Sequence, residues 1–256
     1  MKTKIFFLAI IVAVFYSACK KPTPDNTNTV TPTGTIGFHL HTNIGNNEVD
    51  SLGEVYTTLD GRMMTLAFAQ LFISEIELIK SDGTTYSVSG KKLLKTYDEE
   101  EYIVGDVPVG NYKSVRFKVG FNAADNALNP TATADSAILN NDQMWFEKTA
   151  QPDGYVFLNV QGTIDTSTTK SGNMISFSYQ IGTTANATEV TLPNQNFSVI
   201  EKQLQYIHMI IDYGKIFQGV KLNDVNNMTV ATPTDNTTAN ALQIVSNIPS
   251  MFRYEE

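Results

Sequence analysis

Apolar and polar residues alternate along much of the chain from Ile36 onward. Within Ile36–His41, three apolar side chains alternate with one glycine and two histidines, and the same alternation recurs in Ser114–Phe121 and Ile175–Ile181. Successive side chains of a strand point to opposite faces, so a period of two is typical of a strand buried on one face. Each stretch therefore predicts a half-buried strand.

Two other stretches, Met64–Lys80 and Tyr155–Val160, are more continuously apolar, which is typical of central strands or of strands covered on both faces. Asp60-Gly61 and Asp82-Gly83 are turn dipeptides, and strand signals recur at roughly ten-residue spacing. With 256 residues, of which 42% are hydrophobic, the chain can fill one sizeable core. The sequence therefore predicts an all-β fold, a single-domain antiparallel β-sandwich.

A short helix is predicted near the C-terminus, over Asn236–Ile248, with Pro249 as its stop signal. Its apolar face would be formed by Ala241, Leu242, Val245 and Ile248. The stretch Asn122–Gln151 shows little periodicity, and loops of this length are usually functional or lack fixed structure. We therefore expect a long irregular loop beside the sandwich, with Trp145 as the hydrophobic anchor that fixes it.

The first 35 residues are typical of an export and anchoring segment. Residues 1–18 have the charged start, apolar centre and small-residue end of a secretory signal peptide, and Tyr16–Cys19 resembles a bacterial lipobox, in which the cysteine is lipidated. Residues 19–35 are rich in Pro, Thr and Asn, the composition of a disordered tether. We therefore expect a domain over residues 36–256, anchored through Cys19 to the bacterial cell envelope, at the outer membrane or facing the periplasm.

Composition excludes several classes of protein. The formal net charge of −8, without a basic cluster, argues against nucleic-acid binding, because neutralising phosphates needs grouped Lys and Arg. A single cysteine excludes disulfide frameworks, cysteine zinc sites and iron–sulfur clusters. The sequence contains no phosphate loop, nucleophile elbow or HExxH motif. We therefore expect a protein that is not an enzyme.

The chain has three histidines, so each can be considered individually. His39 and His41 are two residues apart on the predicted first strand, so their side chains point the same way, about 6.5 Å apart, and could close on one metal ion. Alternatively, both are solvated side chains on the polar face of that strand. His208 lies opposite the core face of Gln205–Asp212 and by itself favours a structural or exposed role. Without thiolates, imidazole, thioether and carboxylate ligands suit copper, with zinc as the competitor.

Seven short segments follow one another in a recognisable order. They are Phe38–His41, Leu71–Leu78, Val109–Tyr112, Val115–Gly120, Met144-Trp145, Gly154–Leu158 and Asn247–Phe252. Together they resemble the MbnP-like copper-binding lipoproteins, a family related to the CorA and MopE copper proteins of methanotrophs. The resemblance covers essentially the whole chain after the tether, and it rests on the order and spacing of the segments rather than on one motif.

The resemblance implies a secreted or envelope β-sandwich that binds copper. In characterised relatives, a loop tryptophan is oxidised to kynurenine by a partner dihaem enzyme of the cytochrome c peroxidase type, and it joins histidines around Cu(I). By position, Trp145 would be the modified residue, with His39, His41 and His208 as the imidazoles. MopE-like relatives carry a histidine two residues after the tryptophan, where this chain has Glu147. As a substitute ligand, a carboxylate disfavours Cu(I) relative to Cu(II) or zinc.

Two functional hypotheses follow. The first is an envelope-anchored copper-binding protein that sequesters or delivers the ion without turnover. The alternative is a metal-free lipoprotein module that uses the same β-sandwich to bind a protein or glycan partner. The acidic composition and Glu147 favour the alternative, whereas the resemblance and the pair of His39 and His41 favour copper.

Overall fold

The computed structural model of the protein describes residues 31–147 and 154–255. The predicted signal peptide, Cys19 and the tether up to residue 30 lie outside the described residues. The first strand begins at Thr33, so the last three residues assigned to the tether belong to the folded part. Thr35 is paired through its main chain with residues on both sides, which requires no apolar side chain. Among the described residues, no helix is long and apolar enough to span a bilayer.

The described residues form short and long strands with few helices. The strands are β1 (Thr33–Ile44), β2 (Asn47–Glu48), β3 (Tyr56–Thr57), β4 (Met63–Lys80), β5 (Thr85–Ser87), β6 (Leu93–Thr96), β7 (Glu101–Pro108), β8 (Gly110–Val119), β9 (Val156–Asp165), β10 (Met174–Gly182), β11 (Thr188–Thr191), β12 (Phe197–Val199), β13 (Leu204–Asp212), β14 (Thr229–Val230) and β15 (Phe252–Tyr254). The α-helices are α1 (Ala123–Asn126), α2 (Ser136–Leu139) and α3 (Ala239–Met251). Single 3₁₀ turns cover Asp142–Met144, Thr184–Asn186, Tyr213–Phe217, Val225–Met228 and Asp235–Thr237.

The strands form two sheets. The first has the order β15-β13-β1-β2, and β7 also pairs with β1. The second has the order β11-β8-β4-β9-β10-β14, with β12 beside β8 and with β3, β5 and β6 beside β4. The predicted all-β sandwich is confirmed.

The sequence predicted antiparallel strand pairs throughout, but two pairs in the structure are parallel. β1 runs parallel to β13, and β10 runs parallel to β14. The sheets are therefore mixed. Alternating hydrophobicity reports which face of a strand is buried, but it carries no information about the direction of the neighbouring strand.

Side chains of both sheets meet in one hydrophobic core, called here the shared core. The ring centroids of Phe38 in β1 and Phe117 in β8 are 6.2 Å apart, and Phe117 also packs against Phe252 of β15 at 5.0 Å. Ile207 and Met209 of β13 are buried in the same core, as the alternation of that strand predicts. The intervening residues of β1 and β13 therefore point away from the second sheet.

A second hydrophobic cluster, called here the outer cluster, covers the other face of the second sheet. Its buried members are Phe72, Phe121, Leu139, Met144, Trp145, Tyr155 and Phe157. In β4, Leu71 and Ile73 face the shared core, so Phe72 between them faces outward, where the segment after β8 packs on it. The expectation that Trp145 anchors this irregular segment to the sandwich is confirmed.

The C-terminal helix is present, but it begins and ends about three residues later than the sequence predicted. α3 spans Ala239–Met251 and contains Pro249 in its last turn. Because proline removes one main-chain hydrogen bond of a helix, regular helix continues for only two residues beyond it. The predicted face is also wrong at Leu242, which is 50% exposed, whereas Ile244 is buried.

Candidate metal centre

The parallel pairing of β1 and β13 brings the histidines of the chain to one place. His39 lies opposite His208 in the register of the two strands, and His41 lies opposite Ile210. Since Phe38, Leu40 and their partners in β13 face the shared core, all three imidazoles point out of the sandwich on the same face of the first sheet. Two strands that are far apart in sequence thus supply one cluster.

The three imidazoles are in direct contact. Ring centroids are 4.4 Å apart for His39 and His41, and 4.8 Å apart for His39 and His208. The side chains of His39 and His41 are 19% and 14% exposed, whereas that of His208 is 53% exposed. The cluster is therefore covered on the β1 side and open to solvent at His208.

Glu255 joins the histidines from the end of the chain. β15 pairs with β13, and beyond it the main-chain N–H of Glu255 donates to the carbonyl oxygen of His208 at 3.2 Å. One carboxylate oxygen, Glu255 Oε2, lies 3.4 Å from Nε2 of His41 and 3.3 Å from Nδ1 of His208. One candidate ligand atom from each of these four residues lies within 4.8 Å of all the others.

Two further carboxylates contact the imidazoles from the opposite side. Glu48 Oε1 lies 2.9 Å from Nδ1 of His41. Glu100 Oε2 lies 3.2 Å from Nε2 of His39, and Oε1 of the same carboxylate lies 3.7 Å from Nδ1 of His41. His41 therefore has a carboxylate beside each of its ring nitrogens, whereas His39 contacts Glu100 and His208 contacts Glu255.

This acidic surrounding changes the pKa of His41 and of Glu48. Burial by itself lowers the pKa of His41, but the hydrogen bond and charge of Glu48, with the charges of Glu255 and Glu100, raise it above its ordinary value. The hydrogen bond from His41 lowers the pKa of Glu48, although burial opposes this. The carboxylates around His41 thus favour its positively charged form.

The residues present fit a transition-metal ion. Nδ1 of His39 is buried and has no hydrogen-bond partner among the described residues. Such an atom is rare in a folded protein, because buried polar atoms normally find partners, and a lone pair without a donor is free to bind a cation. Three imidazoles with one carboxylate are ligands that suit Cu(II) and zinc.

Trp145 and Glu147 do not lie with the histidines. Trp145 belongs to the outer cluster on the second sheet, where its indole N–H donates to the carbonyl oxygen of Leu139 at 3.0 Å. Glu147, the expected substitute ligand, follows it in the same segment and is exposed. The two candidate groups therefore occupy faces of the sandwich that point away from each other, and only the histidines meet.

The sequence did not identify the three carboxylates. Glu100 belongs to the acidic run Asp98–Glu101, which as a sequence favours a solvated turn rather than a metal site, and Glu48 and Glu255 lie in no motif. The main-chain N–H of Leu40 donates to the carbonyl oxygen of Glu100 at 2.8 Å, which aligns the end of this run with the two histidines of β1. The acidic run directly before β7 could have indicated these carboxylates only if the pairing of β7 with β1 had been known. That pairing is long-range and has no signal in the sequence.

Comparison with known proteins identifies the family. A family model described as MbnP matches residues 33–234, which include both β1 and β13. The chain belongs to the MbnP family. Among solved structures, the chain is similar to MbnP from Methylosinus trichosporium, with a TM-score of 0.48 and 12% sequence identity, over 73% of this chain and 78% of that one. No curated protein matches the chain.

Membership of the MbnP family confirms the resemblance found in the sequence. It fits a non-catalytic protein of the MbnP type. The matched residues contain all three histidines and Trp145, whereas Glu255 lies beyond their end. Copper binding, the lipid anchor at Cys19, the partner dihaem enzyme and the oxidation of Trp145 to kynurenine stay predictions.

Proposed function

We propose that this MbnP-family protein binds copper at the cell envelope and sequesters or delivers the ion without turnover. One observation carries the proposal: the chain has three histidines, and all three meet on one face of the first sheet. Solvated surface histidines are not required to lie next to one another, whereas these three come together from two strands that are far apart in sequence. Glu255 completes a set of four candidate ligands.

The ligand set favours copper in its +2 state. Three nitrogen donors and one carboxylate bind Cu(II) more tightly than other divalent first-row ions, following the general order of affinities. Cu(I) prefers soft sulfur ligands, and the four residues offer none. His39, His41, His208 and Glu255 would hold the ion, and the bound ion would supply a Lewis-acidic, redox-active centre. The exposed edge at His208 gives the ion a route in and out.

Copper titration of the purified protein, from which residues 1–19 are omitted, tests the proposal. Wild-type protein should bind one Cu(II) per chain in competition with a chelator of known affinity. His39→Ala/His41→Ala and His208→Ala should each weaken binding by at least about 100-fold, because first ligands contribute no less than the residues that support them. The matched control is Tyr206→Phe, which lies on the same face of β13 and offers no ligand nitrogen.

Three outcomes separate the hypotheses. Full affinity in the double histidine variant would remove β1 from the site and overturn the proposal. Absence of copper binding by wild-type protein would favour the metal-free module that binds a protein or glycan. Equal affinity for zinc and copper in direct competition would contradict a site selective for copper, but it would leave the proposed ligand set unchanged.

The envelope location rests on the sequence before the described domain. Cys19 at the end of a signal-like segment supports lipidation, and the polar residues that follow support a tether. Membrane fractionation of cells tests this: wild-type protein should sediment with membranes, and Cys19→Ser should become soluble or stay unprocessed. Sedimentation of processed Cys19→Ser protein would contradict anchoring through this residue.

A further inference from the structure

Each of the two histidines of β1 has one ring nitrogen in close contact with a carboxylate of the β1 side of the cluster. His39 contacts Glu100 through Nε2 at 3.2 Å, while its Nδ1 is buried without a hydrogen-bond partner. His41 contacts Glu48 through Nδ1 at 2.9 Å, while its Nε2 lies 3.4 Å from Glu255. The two rings therefore present opposite nitrogens to their carboxylates, Nε2 in His39 and Nδ1 in His41.

A neutral imidazole carries one N–H and one lone pair, and only the lone pair can bind a metal ion. A carboxylate accepts hydrogen bonds and cannot donate them when ionised, so it selects the tautomer whose N–H points at it. Glu100 therefore selects the Nε2–H form of His39, and Glu48 selects the Nδ1–H form of His41. The lone pair of His41 then lies on Nε2, beside Glu255, and the lone pair of His39 lies on the buried, unpartnered Nδ1.

We infer that Glu48 and Glu100 are positioning residues of the metal centre, which orient His41 and His39 and fix Nε2 of His41 and Nδ1 of His39 as the ligand atoms. This inference rests on the proposed copper function. Carboxylates that hold the second nitrogen of a ligating imidazole also increase its basicity, and their loss typically weakens metal binding 10- to 100-fold.

The main chain of both glutamates is held in place by strand pairing or by hydrogen bonds of a turn. Glu48 belongs to β2, where it pairs with Asn43 of β1. Glu100 lies at the end of a tight turn, and its carbonyl oxygen accepts from the main-chain N–H of Leu40 at 2.8 Å. Lys95 is fully buried beneath that turn and donates to the carbonyl oxygens of Thr96 and Glu99 at 2.6 Å each. This scaffold holds Glu100 in place in the absence of the ion.

The same three side chains, His41, Glu48 and Glu100, could instead hold a second cation, since their ligand atoms also lie within 4.8 Å of one another. That arrangement would require the Nδ1 proton of His41 to be displaced. The hydrogen bond between His41 and Glu48, with the close contact of Glu100 to Nε2 of His39, accounts for the same geometry without that change. The number of ions bound distinguishes the two interpretations.

Nitrogen NMR of the metal-free protein tests the inference, because a chain with three histidines gives three resolvable ring systems. Long-range proton–nitrogen spectra at about pH 9, above the ordinary imidazole pKa, report which nitrogen carries the proton. Wild-type protein should show the Nε2–H tautomer for His39 and the Nδ1–H tautomer for His41. Glu48→Ala should change the tautomer of His41 alone, and Glu100→Ala that of His39.

Copper affinity provides the second measurement. Glu48→Ala and Glu100→Ala should each bind copper 10- to 100-fold more weakly while still binding one ion per chain. Glu48→Gln should restore the Nδ1–H tautomer, because its amide oxygen still accepts a hydrogen bond, and recover part of the affinity. Glu101→Ala is the matched control, since the Glu101 carboxylate accepts from the hydroxyl of Tyr206 instead of contacting an imidazole.

The outcomes separate this inference from the function on which it rests. Opposite tautomers in wild-type protein, or unchanged tautomers in both alanine variants, would overturn it. Two copper ions in wild-type protein and one in Glu48→Ala would also overturn it, by making Glu48 a ligand. The expected tautomers without copper binding would contradict the proposed function and leave the hydrogen-bonding roles of Glu48 and Glu100 intact. Unperturbed signals of the other two histidines in each variant show that the fold is retained.

Discussion

A single carboxylate organises the connection between β9 and β10. Asp165 Oδ1 accepts from the main-chain N–H and the hydroxyl of Ser167, at 2.9 and 2.7 Å, and from the N–H of Asn173 at 3.0 Å. Its Oδ2 accepts from the N–H of Gly172 at 2.8 Å. The Ser167 hydroxyl bond is the largest cause that lowers the pKa of Asp165, to about 2, and the main-chain N–H groups add to it against the opposing effect of burial.

The depressed pKa predicts how stability depends on pH at this residue. The ionised carboxylate stabilises the folded state fully above the unfolded pKa, about 4, and that contribution is lost as pH falls toward about 2. Asp165→Asn should therefore lower the thermal midpoint at pH 7, because an amide cannot accept at both positions. The difference from wild type should shrink between about pH 4 and about pH 2.

Thermal unfolding across this pH range checks the prediction in the metal-free protein. Asp50→Asn is the matched control, because Asp50 is exposed and its side chain is not needed to cap a loop. A difference between Asp165→Asn and wild type that stays constant from pH 7 to about pH 2 would show that the carboxylate charge contributes nothing.

Residue by residue, the candidate site could be predicted only where the chain repeats a local pattern. His39 and His41 share a face because they are two residues apart on a strand, and that follows from the sequence. Glu48 follows in the β1–β2 hairpin, seven residues after His41, whereas Glu100 and Glu255 arrive through pairings that are long-range in sequence. No periodicity encodes such a pairing, so the hydrogen-bonding groups of the centre were not predictable.

At the scale of the elements, burial could be predicted better than strand direction. The alternation in β1 and β13 indicates which side chains enter the core, and the structure confirms it for Phe38 and Met209. The parallel direction of this pair has no such signal, yet it sets His208 opposite His39. If β1 and β13 were antiparallel, only one particular register would place His208 opposite His39.

The ends of α3 show the same limit for helices. The predicted helix begins at Asn236, but in the structure Thr238 caps the helix by accepting from the N–H of Ala241. Asn236 is instead buried, and its side chain donates to the carbonyl oxygen of Gln180 and accepts from the N–H of Gly182. Tertiary hydrogen bonds to β10 thus hold Asn236 outside α3.

At the scale of the whole molecule, the sandwich separates two groups that the family resemblance placed in one site. The histidines lie on the outward face of the first sheet, and Trp145 lies in the outer cluster on the second sheet. The shared core fills the space between the sheets. The histidines and Trp145 therefore do not form one metal-coordination sphere in this structure.

Trp145→Phe tests this separation directly. The variant loses the indole hydrogen bond to Leu139 and some buried volume, so the free energy of unfolding should fall by about 1–2 kcal/mol, measured by urea denaturation. Copper affinity should stay within about twofold of wild type, because distant sites without shared partners are independent. In the combined variant with His39→Ala/His41→Ala, the two losses of stability should add within about 0.5 kcal/mol. A tenfold loss of copper affinity in Trp145→Phe would instead place the indole in the coordination sphere, which requires the segment after β8 to leave the second sheet when copper binds.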